Sequence, residues 1–271
     1  MRALPARLIN TEAIELWPAR LLRARDNRAA RALASADWGL RRKRDGRYLA
    51  AVRVGARQLQ VTPLVPALDG EPGVETALAL AADWEPRGGS GYGPVLPLAE
   101  LAHLLQALGI DGEYGRRHGM TVVAEPATLQ LAGRDRYRRP LWLRDRAARA
   151  WQRMRQAAES DGITLQAISG WRSHAYQYGI FRRKLARGQD MQQILGVNTA
   201  PGYSEHHGGD ALDLGTPGEP PAEESFETTP AFAWLSRHAA DFGFAMSYPR
   251  GNRHGIIYEP WHWRWHRAGS R

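Results

Sequence analysis

In the second half of the chain, apolar positions switch between helical and extended spacing. Leu143, Ala147, Trp151, Met154 and Ala158 recur every three or four residues and predict a helix with one buried face, which Asp161-Gly162 ends. Residues 163–169 read as a strand. Ser173 suits the N-cap of a helix running to about residue 187, and Gly188 stops it. Residues 211–214 predict a short strand. Thr229-Pro230 supplies a cap and first-turn pair for a helix through Phe232, Leu235, Ala239 and Phe242, closed by Gly243. Residues 244–248 and 255–259 read as strands joined by a loop. Helices and hairpin-compatible strands mix without regular strand–helix alternation, which predicts an α+β domain with a small, largely antiparallel sheet flanked by helices.

Upstream of about residue 133 the pattern is weaker. Residues 13–36 look helical, and residues 48–65 look extended, with Val52, Val54, Leu59 and Val61 set among polar neighbours. Residues 66–73 and 86–97 are rich in glycine and proline and read as loops, whereas residues 98–108 predict a short helix. The run Gly88-Gly89-Ser90-Gly91-Tyr92-Gly93 has the look of a phosphate-cradling loop, but no Lys-Ser/Thr follows and no clear strand leads into it. We expect an N-terminal α/β accessory region of unassigned fold and role over residues 1–133, and a second domain over residues 134–271.

Composition narrows the chemistry. Apolar residues make up 43% of the 271, enough for a core and too many for disorder. No apolar run approaches a membrane span. The first 27 residues are broken by Arg2, Arg7, Glu12, Glu15 and Arg20 and lack the apolar stretch of a secretory signal. Retention in the cytoplasm, another export route and a missing upstream leader all stay open. There are no cysteines, so any metal must be held by His, Asp or Glu. The formal charge of +9 is almost all arginine, since Lys43 and Lys184 are the only lysines. The densest stretch, residues 134–155, fits either a solvated helix face or a surface for an anionic polymer, cell wall or nucleic acid.

Two distant segments carry candidate chemistry: Ser204-Glu205-His206-His207-Gly208-Gly209-Asp210-Ala211-Leu212-Asp213 and Tyr258-Glu259-Pro260-Trp261-His262-Trp263-Arg264. They offer His206, His262 and Asp213 as metal ligands, with Glu259 as a spare carboxylate, an inventory that suits a catalytic zinc site with one position left for water. If a strand begins after Gly208-Gly209, Ala211 and Asp213 share a face. Taken singly, each residue also has a plain structural reading: a hydrogen-bonded histidine among tryptophans, an exposed histidine pair, a turn aspartate, a surface glutamate.

The combination Ser-x-His-x-x-Gly-x-Ala-x-Asp, followed roughly fifty residues later by Glu-Pro-Trp-His, resembles the VanY-type zinc D-alanyl-D-alanine carboxypeptidases of the Hedgehog/DD-peptidase superfamily. Two further segments join the resemblance: Ser169-Gly170-Trp171-Arg172-Ser173 with Gln177, and Gly243-Phe244 through Ser247-Tyr248-Pro249. It covers residues 140–267. It implies zinc bound by His206, Asp213 and His262, Glu259 as general base toward a zinc-activated water, and Arg172 holding a substrate carboxylate or the developing oxyanion. It also implies Gln177 and Ser204 positioning the substrate's C-terminal end and Tyr248 lining the site. Departures from the family pattern are Trp171 and Phe181 for tyrosines, His207 for glutamine, Asp210 for an apolar residue, and His254 for a small polar one.

The expected function is a metallopeptidase of peptidoglycan stem peptides, with D-Ala-D-Ala ends as the first substrate class and the cell envelope as the place such a substrate implies. Competing readings are an endopeptidase of the phage-lysin type and a non-catalytic zinc-binding module, against which the spare Glu259 argues. A nucleic-acid binder would rest on charge alone, and no recognised motif supports it, so no nucleic-acid partner is expected.

Overall fold

The computed structural model describes residues 6–56, 58–84 and 93–266. The chain divides into two units, residues 1–97 with 126–130, and residues 98–125 with 131–271. Residues 98–125, grouped with the N-terminal region on sequence, thus pack within the C-terminal unit. The glycine-rich run at 88–93 lies, apart from Gly93, outside the described residues.

In the first unit β1 (Arg7–Asn10), β2 (Ile14–Pro18), β3 (Trp38–Arg42), β4 (Tyr48–Val54) and β5 (Leu59–Pro63) form an antiparallel sheet in the order β5-β4-β3-β2-β1. Helix α1 (Asn27–Ala34) is capped by the Asp26 carboxylate, which accepts from the Ala29 amide at 2.7 Å. Helix α2 is Val74–Ala82. Strand β4 buries consecutive residues because both faces are covered. Ala51 packs with Leu33 of α1, and Ala50 and Val52 pack with Val74, Ala77 and Ala81 of α2. The helix expected over residues 13–36 forms only at its C-terminal end. Its N-terminal part is strand β2, where Ile14 and Leu16 enter the sheet core; tertiary pairing overrides local helical spacing there. The expected strand over residues 48–65 is present as the β4–β5 hairpin.

The second unit begins with α3 (Ala99–Ala107) and α4 (Tyr114–Arg117). Strand β6 (Thr128–Arg134) passes between the units, and its first three residues pair with β1. There follow β7 (Pro140–Leu143), α5 (Asp145–Ser160), β8 (Gln166–Ser169), α6 (His174–Leu185), α7 (Met191–Val197), β9 (Ala211–Gly215), α8 (Pro230–His238), β10 (Phe244–Met246) and β11 (His262–Trp265). The last four strands form an antiparallel sheet ordered β10-β11-β9-β8. The α+β class read from the sequence is what the structure shows. Ala147, Trp151, Met154 and Ala158 of α5 pack with Leu212 and Leu214 of β9 and with Trp234 and Leu235 of α8. Ser173 caps α6 and Thr229 caps α8, as expected. The strand expected over residues 255–259 does not form; that stretch is irregular, and pairing with β9 and β10 begins at His262, after Pro260, which has no amide hydrogen to give to a ladder. A second core joins α3, α4, α6 and α7 through Leu108, Tyr114, Phe181, Ile194 and Tyr203.

Candidate metal centre and substrate site

Asp213 on β9 and His262 on β11 are direct register partners, so their side chains leave the same face of the sheet. His206 arrives from a 3-10 turn over Glu205–Gly208, closed by Gly209 at φ +74°, a left-handed position that glycine tolerates. The three donor atoms lie within 4.8 Å of one another, and all three residues are buried. His206 Nδ1 lies 2.7 Å from the Gly170 carbonyl and donates to it, which turns Nε2 toward Asp213 Oδ1 at 3.2 Å. His262 Nε2 donates to Glu205 Oε2 at 2.8 Å, and its Nδ1 lies 3.2 Å from the same Asp213 oxygen. Donors held about 2.0–2.1 Å from a tetrahedral zinc are roughly 3.3 Å apart, so these spacings fit such an ion. The outward hydrogen bond on each imidazole fixes its tautomer and its aim.

The charge balance also fits a cation. Asp213, Glu205 and Glu259 all face His262. Burial opposes the charged form of His262, yet the hydrogen bonds to Asp213 and Glu205 prevail and raise its pKa to about 10. Burial, joined by Arg172, lowers His206 to about 4. Asp213 is buried too, which alone would raise it, but His206, His262 and Arg172 hold it well below the carboxylate range. The cluster therefore calls for positive charge at its centre, which a proton on His262 or a divalent cation supplies.

Glu259 sits in the irregular stretch before Pro260, with its amide donating to the Tyr248 carbonyl at 3.0 Å and Oε2 3.9 Å from His262 Nδ1. Burial pushes its pKa up to about 7, where a carboxylate can both take and return a proton near neutrality. The Tyr248 ring lies against His262 with centroids 4.8 Å apart, and burial raises its phenol. Arg172 Nη2 is 3.8 Å from Asp213 Oδ2, and its buried Nε has no hydrogen-bond partner among the described residues. Gln177 gives its amide nitrogen to the Thr199 carbonyl at 2.9 Å, leaving a buried Oε1 unpartnered among those residues. Ser204 is buried where the 3-10 turn starts. The structure thus gathers His206, Asp213, His262, Glu259, Arg172 and Tyr248 into one site, with Gln177 and Ser204 on the elements beside it.

Glu205 and His207, beside the candidate ligand His206, have supporting roles that the motif does not reveal. Glu205 bridges His262 and Arg264, at 2.8 and 2.9 Å, and despite burial its pKa is lowered by them. No signal in the sequence pointed to this role, since Glu205 adjoins His206 but supports His262, fifty-seven residues away. His207 donates from Nδ1 to the Arg172 carbonyl at 2.7 Å and accepts at Nε2 from the Gly202 amide at 3.1 Å, bracing the arginine's backbone. Asp210 is buried 3.7 Å from Arg144 and raised to about 6 by burial.

The sequence model of the VanY D-alanyl-D-alanine carboxypeptidase family matches residues 140–268. This stretch is a VanY-family domain. Among curated proteins, this chain is 34% identical over 128 residues to a Bacillus subtilis (strain 168) protein provisionally assigned as the carboxypeptidase YodJ, covering 46% of each chain. It is 38% identical over 79 residues to a D-alanyl-D-alanine carboxypeptidase of Enterococcus faecium, covering 28% of this chain and 24% of that one. The chain therefore spans half or less of the length of these relatives. Among solved structures, the LdcB LD-carboxypeptidase is similar at 32% identity and TM-score 0.43, over 46% of this chain and 59% of that one. The VanY-family domain contains every member of the site described above.

Proposed function

We propose that the protein is a zinc-dependent D-alanyl-D-alanine carboxypeptidase of peptidoglycan stem peptides. The observation that carries this reading is the convergence of His206 Nε2, His262 Nδ1 and Asp213 Oδ1, with the buried Glu259 carboxylate 3.9 Å from His262 Nδ1. A zinc ion held by His206, Asp213 and His262 would supply a Lewis acid and a water of lowered pKa. Glu259, with a pKa raised to about 7, takes the proton of the attacking water and returns it to the leaving amine. Arg172, turned toward the cluster, presents a guanidinium whose planar fork suits a terminal carboxylate or a developing oxyanion. Gln177 Oε1, unpartnered among the described residues, is available to accept an N–H from the substrate's C-terminal end, and Ser204, buried where the 3-10 turn starts, is a second positioning group.

The test compares wild type with Glu259→Ala at equal zinc content on a peptide ending in D-Ala-D-Ala. Loss of a general base costs about 10²–10⁴-fold in rate; equal rates would remove the catalytic assignment and leave a zinc-binding module.

A further inference from the structure

The stretch from Tyr114 to Glu125 lies outside the residues matched to the VanY family, yet it touches three of the elements that carry the site. At one end His118 and His254 exchange hydrogen bonds: His118 Nδ1 meets the His254 carbonyl at 3.0 Å, and His254 Nδ1 meets the His118 carbonyl at 2.9 Å. The His254 ring stands edge-on to Tyr248, 6.1 Å away, and Tyr248 lies on His262. In the middle, Tyr114 packs on Tyr203, next to Ser204, with centroids 5.0 Å apart. The Val123 amide donates to the Gly202 carbonyl at 2.7 Å. At the far end Glu125 Oε1 accepts from the His174 amide at 2.8 Å, while His174 Nε2 meets the Val123 carbonyl at 2.8 Å and its ring abuts His207 at 4.4 Å. His207 is the residue that braces Arg172.

These contacts are close enough to need glycine opposite. A Cβ at Gly115 would come 2.5 Å from the Tyr203 ring, and one at Gly202 would come 2.4 Å from Leu101. Gly255, the residue after His254, has φ +68°, a left-handed position that favours glycine.

We infer that residues 114–125 form a fixed wall of the substrate cleft, and that the reciprocal His118–His254 clasp holds the Tyr248 loop against it. His118 and His254 are then positioning residues that set how tightly the substrate's end is gripped, without touching the reacting atoms. The kinetic side of this inference rests on the carboxypeptidase reading; the clasp itself does not.

Two measurements on the full chain test it. Amide hydrogen exchange across residues 250–257 should quicken at least tenfold in His118→Ala and in His254→Ala. It should stay near the wild-type rate in His118→Asn, whose amide nitrogen can replace Nδ1 as donor. Unchanged exchange in both alanine variants would overturn the clasp, whatever the protein hydrolyses. On a peptide ending in D-Ala-D-Ala, His118→Ala should raise KM fivefold or more with kcat within twofold, and His118→Asn should restore KM. An unchanged KM alongside faster exchange would overturn the wall's role in gripping substrate. Absence of hydrolysis by wild type would instead overturn the carboxypeptidase reading, with the exchange data still deciding the clasp.

Discussion

Glu205 shows how a single side chain can govern a centre it does not join. Its two oxygens are shared between His262 Nε2 and Arg264 Nη1, so one carboxylate fixes the tautomer of His262 and is itself held by a guanidinium. Replacing it by alanine leaves a buried N–H without its acceptor and lets the imidazole turn. Glu205→Ala should weaken zinc binding about 10–100-fold, the usual range for losing such a support. Titration of zinc against a competing chelator would read this, and affinity within twofold of wild type would show that Glu205 does not orient His262. At this scale the sequence was informative about identity and weak about support. The order of His206, Asp213, Glu259 and His262 in the motif was enough to single them out, and the structure brings them together. The roles of Glu205 and His207 depend on which ring nitrogen points where, and spacing along the chain does not encode that.

At the scale of elements, the site depends on two cross-strand neighbours, a 3-10 turn and one helix start. Strands β9 and β11 bring Asp213 opposite His262. Helix α6 starts beside Arg172, and its cap is the Ser173 side chain, which accepts from the Tyr176 amide at 3.1 Å. Ser173→Ala should cost about 1 kcal/mol of stability, the typical loss for an N-cap, measurable as a shift in denaturant midpoint with unchanged slope; no shift would mean that the amide finds another acceptor. Gly202 has φ +86°, and an added Cβ would lie 2.4 Å from Leu101. Gly202→Ala should therefore destabilise by more than the ~1 kcal/mol of a simple left-handed penalty, because the buried Leu101 side chain must also move; a loss below that figure would show that Leu101 yields freely. Helices α5, α6 and α8 were readable from apolar periodicity and capping residues. The strand expected at 255–259 was not, because a proline and a site carboxylate occupy the place where pairing would begin. The helix expected near residue 14 failed because Ile14 and Leu16, two residues apart, follow the strand period and enter the sheet core together, a pair too short to stand out in the sequence.

For the whole molecule, the candidate metal site lies within one unit. His206, Asp213, His262, Arg172, Glu259 and Tyr248 all belong to the unit of residues 98–125 and 131–271. The other unit has its own core, with a sheet covered on both faces. A metal that binds only the folded C-terminal unit stabilises it by mass action, about 2.7 kcal/mol at a free concentration one hundred times Kd. Chelation should then lower the melting temperature of that unit by roughly 5–10 °C. An unchanged melting curve after the metal is shown to have left would argue against a bound ion coupled to folding. In the N-terminal unit the β4–β5 stretch was legible as extended, whereas β1, β2 and β3 were not, because at four or five residues each they are too short to show a period.

The most direct measurement of the central claim is the mass of the products formed from a defined muropeptide with a pentapeptide stem ending in D-Ala-D-Ala, incubated with the zinc-loaded protein. The account predicts release of one terminal D-alanine and a tetrapeptide stem, abolished in Glu259→Ala. Cleavage only within the stem, or an intact substrate with zinc bound at stoichiometry, would contradict it.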